Sequence, residues 1–197
     1  MFFSEIYAIE DAIFYDNATS NKVSNYNTVN NTLTYDTDHY QSVSSSSTSL
    51  SNYFAFTNPK ADLRLPRNVE VEIDIMQTQT LNCQWGISFT NGQGKTSSTY
   101  YATCGSFDSN TTGKGIICNA PWGSLRTQGQ LSLNTWYHFK VTVTGTVVSF
   151  KITDSNDNVL FNDNLTISFM SSLTYLNVHQ GQASNTVQFK NLKIKAL

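Results

Sequence analysis

Charge is what this chain has least of. Asp, Glu, Lys and Arg together make up 13% of its 197 residues, against about 25% in an ordinary soluble domain. The formal net charge is -2, and no basic run stands out. That argues against nucleic acid as the main partner, because phosphate recognition needs clustered lysine and arginine. Cysteine is scarce too. Cys83, Cys104 and Cys118 form neither an even disulfide framework nor a zinc-ligand spacing. Cys104 and Cys118 could pair across a hairpin, yet the odd count and loose spacing favour buried free thiols. No apolar run approaches the ~20 residues of a helical membrane span, so no membrane partner is expected. The opening MFFSEIYAIE carries acids where a secretory leader would be apolar, and it lacks a basic start. The expectation is a domain cut from a longer polypeptide, or one made in a cytoplasm and assembled there.

Asn, Ser and Thr take the place of the missing charges. Apolar content of 39%, with 13% aromatic, is ample for a core, so low charge does not mean disorder here. A surface rich in hydroxyls, amides and aromatics suits neutral polar ligands such as glycans. It equally suits an extracellular or virion surface that only needs to stay soluble. The length fits one domain over 1–197, with 1–10 as a peripheral segment.

The clearest local pattern is Leu133 to Phe161, LNTWYHFKVTVTGTVVSFKITDSNDNVLF. Apolar and polar residues alternate through Phe139–Val143, and again through Val148, Phe150 and Ile152, across a turn at Gly145. A polar DSNDN turn follows. Period-2 alternation with Gly and Asn/Asp punctuation is the mark of half-buried antiparallel hairpins. Further strands are predicted near 12–15, 32–35, 39–44, 53–57, 68–77, 83–89, 173–179 and 186–195. Residues 1–31 are otherwise turn-rich and 90–130 irregular. The class is all-β: a two-sheet antiparallel sandwich with one wet face per sheet.

The pieces FYDN, YFAF, VEVEIDI, WGISF, LNTWYHFKVTVTGTVVSFKI and VQFKNLKIK together resemble the concanavalin A-like lectin/glucanase superfamily in its laminin-G-like branch. The closing pattern of Phe189, Asn191, Leu192 and Ile194 is part of that likeness. The resemblance covers about residues 10–197 and implies a jelly-roll sandwich. Such domains commonly serve as non-catalytic glycan-binding modules in secreted enzymes, adhesins and phage tail or baseplate proteins. The Asn/Ser/Thr-rich make-up is most similar to the phage tail case, which implies a virion-surface or extracellular setting.

Glu70, Glu72 and Asp74 alternate with apolar residues, and EIDIM resembles the catalytic strand of lichenase-type glucanases. Retaining hydrolysis needs two carboxyls about 5 Å apart, and alternation puts Glu72 and Asp74 on one sheet face. Gln77 stands where the resemblance implies the acid/base, and an amide cannot protonate a leaving group. No enzyme is expected; Glu72 and Asp74 remain possible partners of sugar hydroxyls. Tyr175, Asn177 and His179 alternate with Leu176 and Val178 and are expected to face solvent. An aromatic, an amide and an imidazole in a row suit a saccharide. Trp122, in the loop NAPWGSLR beside Arg126, is a stacking candidate. Trp85 and Trp136 read as packing residues. Asp154, Asn156, Asp157 and Asn158 offer oxygens for calcium, but Asx hydrogen bonds in a hairpin turn explain them as well, and no cofactor is expected. The expected partner is therefore a cell-surface glycan. The competing reading is a structural sandwich that self-associates, as a homo-oligomer or within a virion, and binds no sugar.

Overall fold

The alternating segments fold into two antiparallel sheets laid face to face, as predicted. The computed structural model describes residues 12–29, 31–44, 53–56, 68–78, 84–90, 101–109, 113–120, 123–127, 131–168, 170, 175–180 and 186–197. In chain order the strands begin with β1 (Ala12–Asp16), β2 (Tyr26–Val29), β3 (Asn31–Asp36), β4 (His39–Ser44) and β5 (Tyr53–Phe56). Next come β6 (Val69–Gln77), β7 (Gln84–Thr90), β8 (Tyr101–Ser109), β9 (Gly113–Ala120) and β10 (Gly123–Thr127). The last are β11 (Tyr137–Thr144), β12 (Val147–Thr153), β13 (Val159–Thr166), β14 (Tyr175–Gln180) and β15 (Thr186–Ala196). An eight-stranded sheet runs β13-β12-β11-β6-β15-β4-β3, with β1 also paired to β15. A seven-stranded sheet runs β10-β9-β8-β7-β14-β5-β2.

The hairpin read from sequence forms the middle of the larger sheet. Gly145, at φ 61°, makes the turn, and its N–H donates to the Asn68 side chain at 2.9 Å. Val141 pairs with Val71 on one side and Phe150 on the other; Phe139 pairs with Ile73 and Ile152. All are buried, along with Phe189 and Ile194. Trp85, Ile87, Phe89, Leu176 and Val178 meet them from the other sheet, and the Trp85 and Phe139 rings lie 5.9 Å apart. Burying side chains of this size contributes about 1.5–3 kcal/mol each. Trp85 is thus the core residue its alternation predicted.

A polar clasp fastens the first strand. Asp16, 1% exposed, accepts from the Tyr26 hydroxyl at 2.9 Å, the Tyr40 hydroxyl at 2.8 Å and the Ala18 N–H at 3.0 Å. Lys22 Nζ stands 3.7 Å away. Burial, with the Asp16 charge beside it, holds the Tyr26 hydroxyl well above the usual phenol range. Tyr40 is raised by burial and by its bond to Asp16.

Three expectations need correction. Residues 90–130, read as irregular, contain β8, β9 and β10, and the turn-rich opening contains β2. Gly105, Gly113 and Gly115 have no side chains to display a period, so those strands hid. Cys104 and Cys118 are not free thiols: the β8–β9 register sets them directly opposite each other, and they form a disulfide. One wet face per sheet also fails in part. In β6 every second residue is half-exposed, whereas Trp85–Thr90 of β7 are all buried, on both faces.

Candidate functional site

Because Trp85, Ile87 and Phe89 face the larger sheet, Gly86, Ser88 and Thr90 lie on the opposite, outer face of β7. The register carries this face across the seven strands. Ser88 pairs with Thr103 on β8 and with Asn177 on β14. Asn119 and Ser124 continue the row one way, and Ala55 and Asn27 the other. Six of the seven positions in that row carry a hydroxyl or an amide. None carries a charge.

At its centre the row is shielded. Ser88 and Asn177 are each 0% exposed, Thr90 3% and Thr103 8%. Asn177 Nδ2 donates to Thr90 Oγ1 at 2.7 Å. Asn177 Oδ1 and Ser88 Oγ have no hydrogen-bond partner. A shielded polar atom left unpaired costs about 1–3 kcal/mol, so this pair is a local cost to stability. Sequence reasoning missed Ser88, Thr90 and Thr103. The signal for Ser88 and Thr90 was present in WGISFT, where the small polar residues alternate with the apolar ones.

The expectation that Asn177 faces solvent is overturned. It lies on an interior strand, between β7 and β5, and the outer face is shielded there too, so facing away from the core does not mean facing water. Tyr175 is in register with Thr90, and His179 with Gly86 and Tyr53. Arg126 occupies the β10 end of the row that holds Gly105, Gly86 and His179. Trp122 lies outside the described residues, as does Cys83.

Glu72 and Asp74 do not join this row. They lie on the eight-stranded sheet and are engaged by neighbours. Lys140 Nζ donates to Glu72 at 3.0 Å and stands 2.8 Å from Glu70. Burial pulls the Lys140 ammonium down, but its bonds to Glu70 and Glu72 outweigh that and leave it above its usual range. Asp74 accepts from His138 Nδ1 at 2.8 Å on one oxygen and from Asn191 Nδ2 at 2.6 Å on the other. Asn191, at φ 54°, sits in a β15 bulge between Lys190 and Lys193. Its amide reaches Asp74 from that irregular backbone.

The Asp74 hydrogen bond outweighs burial and raises the His138 pKa. A raised folded-state pKa stabilises fully below the unfolded value, and the gain is lost as pH rises through the folded one. The stability difference between wild type and His138→Gln should therefore be larger at pH 5.5 than at pH 8.5. The change should stay below about 1 kcal/mol, because this side chain is 40% exposed. Urea midpoints at both pH values check this, and equal differences would dismiss the charged pair.

Trp136 borders the same charged face. Lys190 Nζ lies 4.4 Å from its ring centroid and His39 meets it edge-on at 6.1 Å. Those contacts fit its reading as a packing residue. Asp154 accepts from the Asn156 and Asn158 N–H groups at 2.8 and 2.9 Å and from Asn158 Nδ2 at 2.9 Å. The side-chain bond from Asn158, then the backbone bonds, lower its carboxyl pKa. Asx hydrogen bonding thus accounts for this turn. Among the described residues no group of three or more His, Cys, Asp or Glu side chains is arranged to hold a metal.

Strand order and paired sheets define a lectin-like β-sandwich. No family model matches the chain, and no curated protein matches it in sequence. Solved structures share its fold. A putative glycosyl hydrolase from Parabacteroides distasonis superposes with TM-score 0.66 at 13% identity, over 98% of this chain and 97% of that one. The lectin UEA-II, complexed with galactose, gives TM-score 0.65 at 7% identity, over 92% and 97% of the two chains. A xylan beta-1,4-xylosidase from Bacillus halodurans gives 0.66 at 11% identity; the match covers 92% of this chain and 38% of the enzyme. Identities this low speak for the fold alone.

Proposed function

We propose that the chain is a non-catalytic carbohydrate-binding module of the laminin-G-like kind, recognising surface glycans on behalf of a phage tail, baseplate or adhesin. The observation that carries this reading is the uncharged hydroxyl and amide row across the seven-stranded sheet, with two unpaired polar atoms at its centre. Sugars present neutral donors and acceptors, and the residue types along this row are of the same kind. The likeness to a galactose-complexed lectin supports the choice. The Cys104–Cys118 disulfide favours an oxidising, extracellular or surface-exposed setting. The non-catalytic part is supported by Glu72 and Asp74, which are tied to Lys140, His138 and Asn191, and by Gln77 in place of an acid.

Self-association draws less support. Among the described residues the exposed large apolar side chains are Val147, Val159, Leu160 and Leu197. Val147 pairs at one end of the β12–β13 ladder and Val159 at the other, so they form no continuous patch.

A glycan array with calcium and with chelator, beside a reducing-sugar assay on the glycans that bind, tests the proposal. Specific binding without release of reducing ends is expected. A blank multivalent array would reject glycan binding, and release of reducing ends would reject the non-catalytic part. Trp122→Ala in the same array asks whether the 119–126 loop contributes stacking.

A further inference from the structure

We infer that Asp163 guards the open edge of the eight-stranded sheet and holds off the β13 strand of a second copy of this chain. The inference is independent of the carbohydrate reading: it concerns what keeps the domain from pairing with itself.

β13 ends the eight-stranded sheet and pairs with β12 alone among the described strands. Val159, Leu160, Asn162, Asp163, Asn164 and Thr166 are all exposed, so this edge lies open to solvent. One bond fixes the direction of its backbone groups. Ile167 N–H donates to the Thr146 carbonyl oxygen at 2.7 Å, and alternation then aims the Leu165, Asp163 and Phe161 N–H groups at β12 as well. Those of Asn162, Asn164 and Thr166 point away from the sheet. Such a row of outward groups is a template for a further strand.

Two features of Asp163 oppose that addition. Its side chain shares the inward face with Phe161 and Leu165, which pack on the core, and it stands opposite the buried Phe150. An apolar residue would continue that line; a carboxylate interrupts it at the rim. Its Oδ1 also accepts the Asn164 N–H at 2.8 Å, one of the outward donors a new strand would need.

A second β13 is the partner this arrangement excludes most directly. Two-fold antiparallel pairing sets residues of the same face opposite each other, so the register can slide only by two residues at a time. The two registers that engage nearly all of β13 place Asp163 against the second copy's Asp163 or against its Phe161. The first opposes like charges. The second shuts a carboxylate against an aromatic ring. A two-fold dimer meets either penalty through both carboxylates.

Sedimentation velocity of the whole chain over a concentration series tests this, with circular dichroism as the check on folding. Wild type should sediment as a monomer. Asp163→Val supplies the missing apolar residue and frees the Asn164 N–H. It should self-associate about a hundredfold more tightly, about tenfold for each of the two carboxylates removed. Asp163→Lys keeps a charge at the same place and should remain monomeric. Asn164→Pro added to Asp163→Val deletes an outward donor without taking one from the β12 ladder, and should restore the monomer. Asp163→Asn gives up the charge and keeps the shape, so it decides the matter if the valine protein misfolds. Association above wild type supports the guard, and equality overturns it. A folded Asp163→Val protein as monomeric as wild type overturns it too. So does association that Asn164→Pro leaves intact, or a wild-type dimer whose β13 amides resist hydrogen exchange.

Discussion

Replacing Gly86 with alanine should cost about 4 kcal/mol, from backbone strain of about 1–3 and overpacking of about 1–3. Gly86 has φ 153°, where L side chains rarely sit, and an added Cβ would fall 2.1 Å from the Cys104 carbonyl oxygen and 2.6 Å from Gly105 Cα. Gly105, its partner across the ladder, is equally tight: a Cβ there would lie 1.9 Å from the Trp85 carbonyl oxygen. The obstacles are backbone atoms in the middle of a sheet. They can yield only if β7 and β8 separate and lose ladder hydrogen bonds. Against a typical domain stability of about 5–15 kcal/mol, such a loss would leave much of the protein unfolded at modest denaturant. Gly145→Ala is the control. Its φ is 61°, but nothing lies within 4 Å of the added atom, so only the left-handed penalty of about 1–2 kcal/mol applies. Urea unfolding of the three proteins checks the ranking. Equal midpoints for Gly86→Ala and wild type would mean the two strands do not approach this closely. Gly86 and Gly105 adjoin Ser88 and Thr103, so widening the strands there would also pull the polar row apart.

The eight-stranded sheet was the more legible half because its sequence carries a clean contrast. From Val69 to Ile75 of β6 and through β11, Val, Ile, Phe and Tyr alternate with Glu, Asp, Lys, His and Thr, and the buried residues are the apolar ones; only at the end of β6 does a polar residue, Gln77, take a buried position. The seven-stranded sheet breaks the assumption behind that contrast. Ser88, Thr90 and Asn177 are polar and yet buried, so the polar half of the alternation does not mark a wet face. Asn177 was expected in solvent and is instead fully shielded. Glu72 and Asp74 show the converse: their face was right, but sequence could not supply the partners. Lys140 and His138 lie 68 and 64 residues away, and Asn191 lies 117 from Asp74. Only the register of β6 between β11 and β15 brings these groups together. Cysteine spacing raised the Cys104–Cys118 pair but favoured free thiols, because the hairpin that sets the two opposite each other is invisible in the alternation.

Asp16→Ala should destabilise by about 3 kcal/mol, within the range for breaking a buried charged network, without touching the candidate site. The carboxylate is shielded and gathers the Tyr26 and Tyr40 hydroxyls, the Ala18 N–H and the Lys22 ammonium. Removing it takes the shared acceptor from two phenols that burial already keeps neutral. The Tyr40 hydroxyl keeps a second acceptor, the Ser20 carbonyl oxygen at 3.1 Å, which limits the damage on that side. Asp16→Asn should cost roughly half as much, because hydrogen bonds to a neutral acceptor are about half as strong as to a charged one. Tyr26→Phe, which deletes a single donor, should cost about 1 kcal/mol. Urea midpoints that follow this order would establish Asp16 as the clasp holding β1 and the turn after it against β2 and β4. An Asp16→Ala protein as stable as wild type would show that the network carries no net stability, as happens when desolvating a charge cancels its attractions. Asp16 belongs to the end of the chain that seals the eight-stranded sheet, whereas Ser88 and Asn177 face away from it. On the carbohydrate-binding reading, folded Asp16→Ala protein should therefore give the same glycan array as wild type, and this separates loss of fold from loss of site.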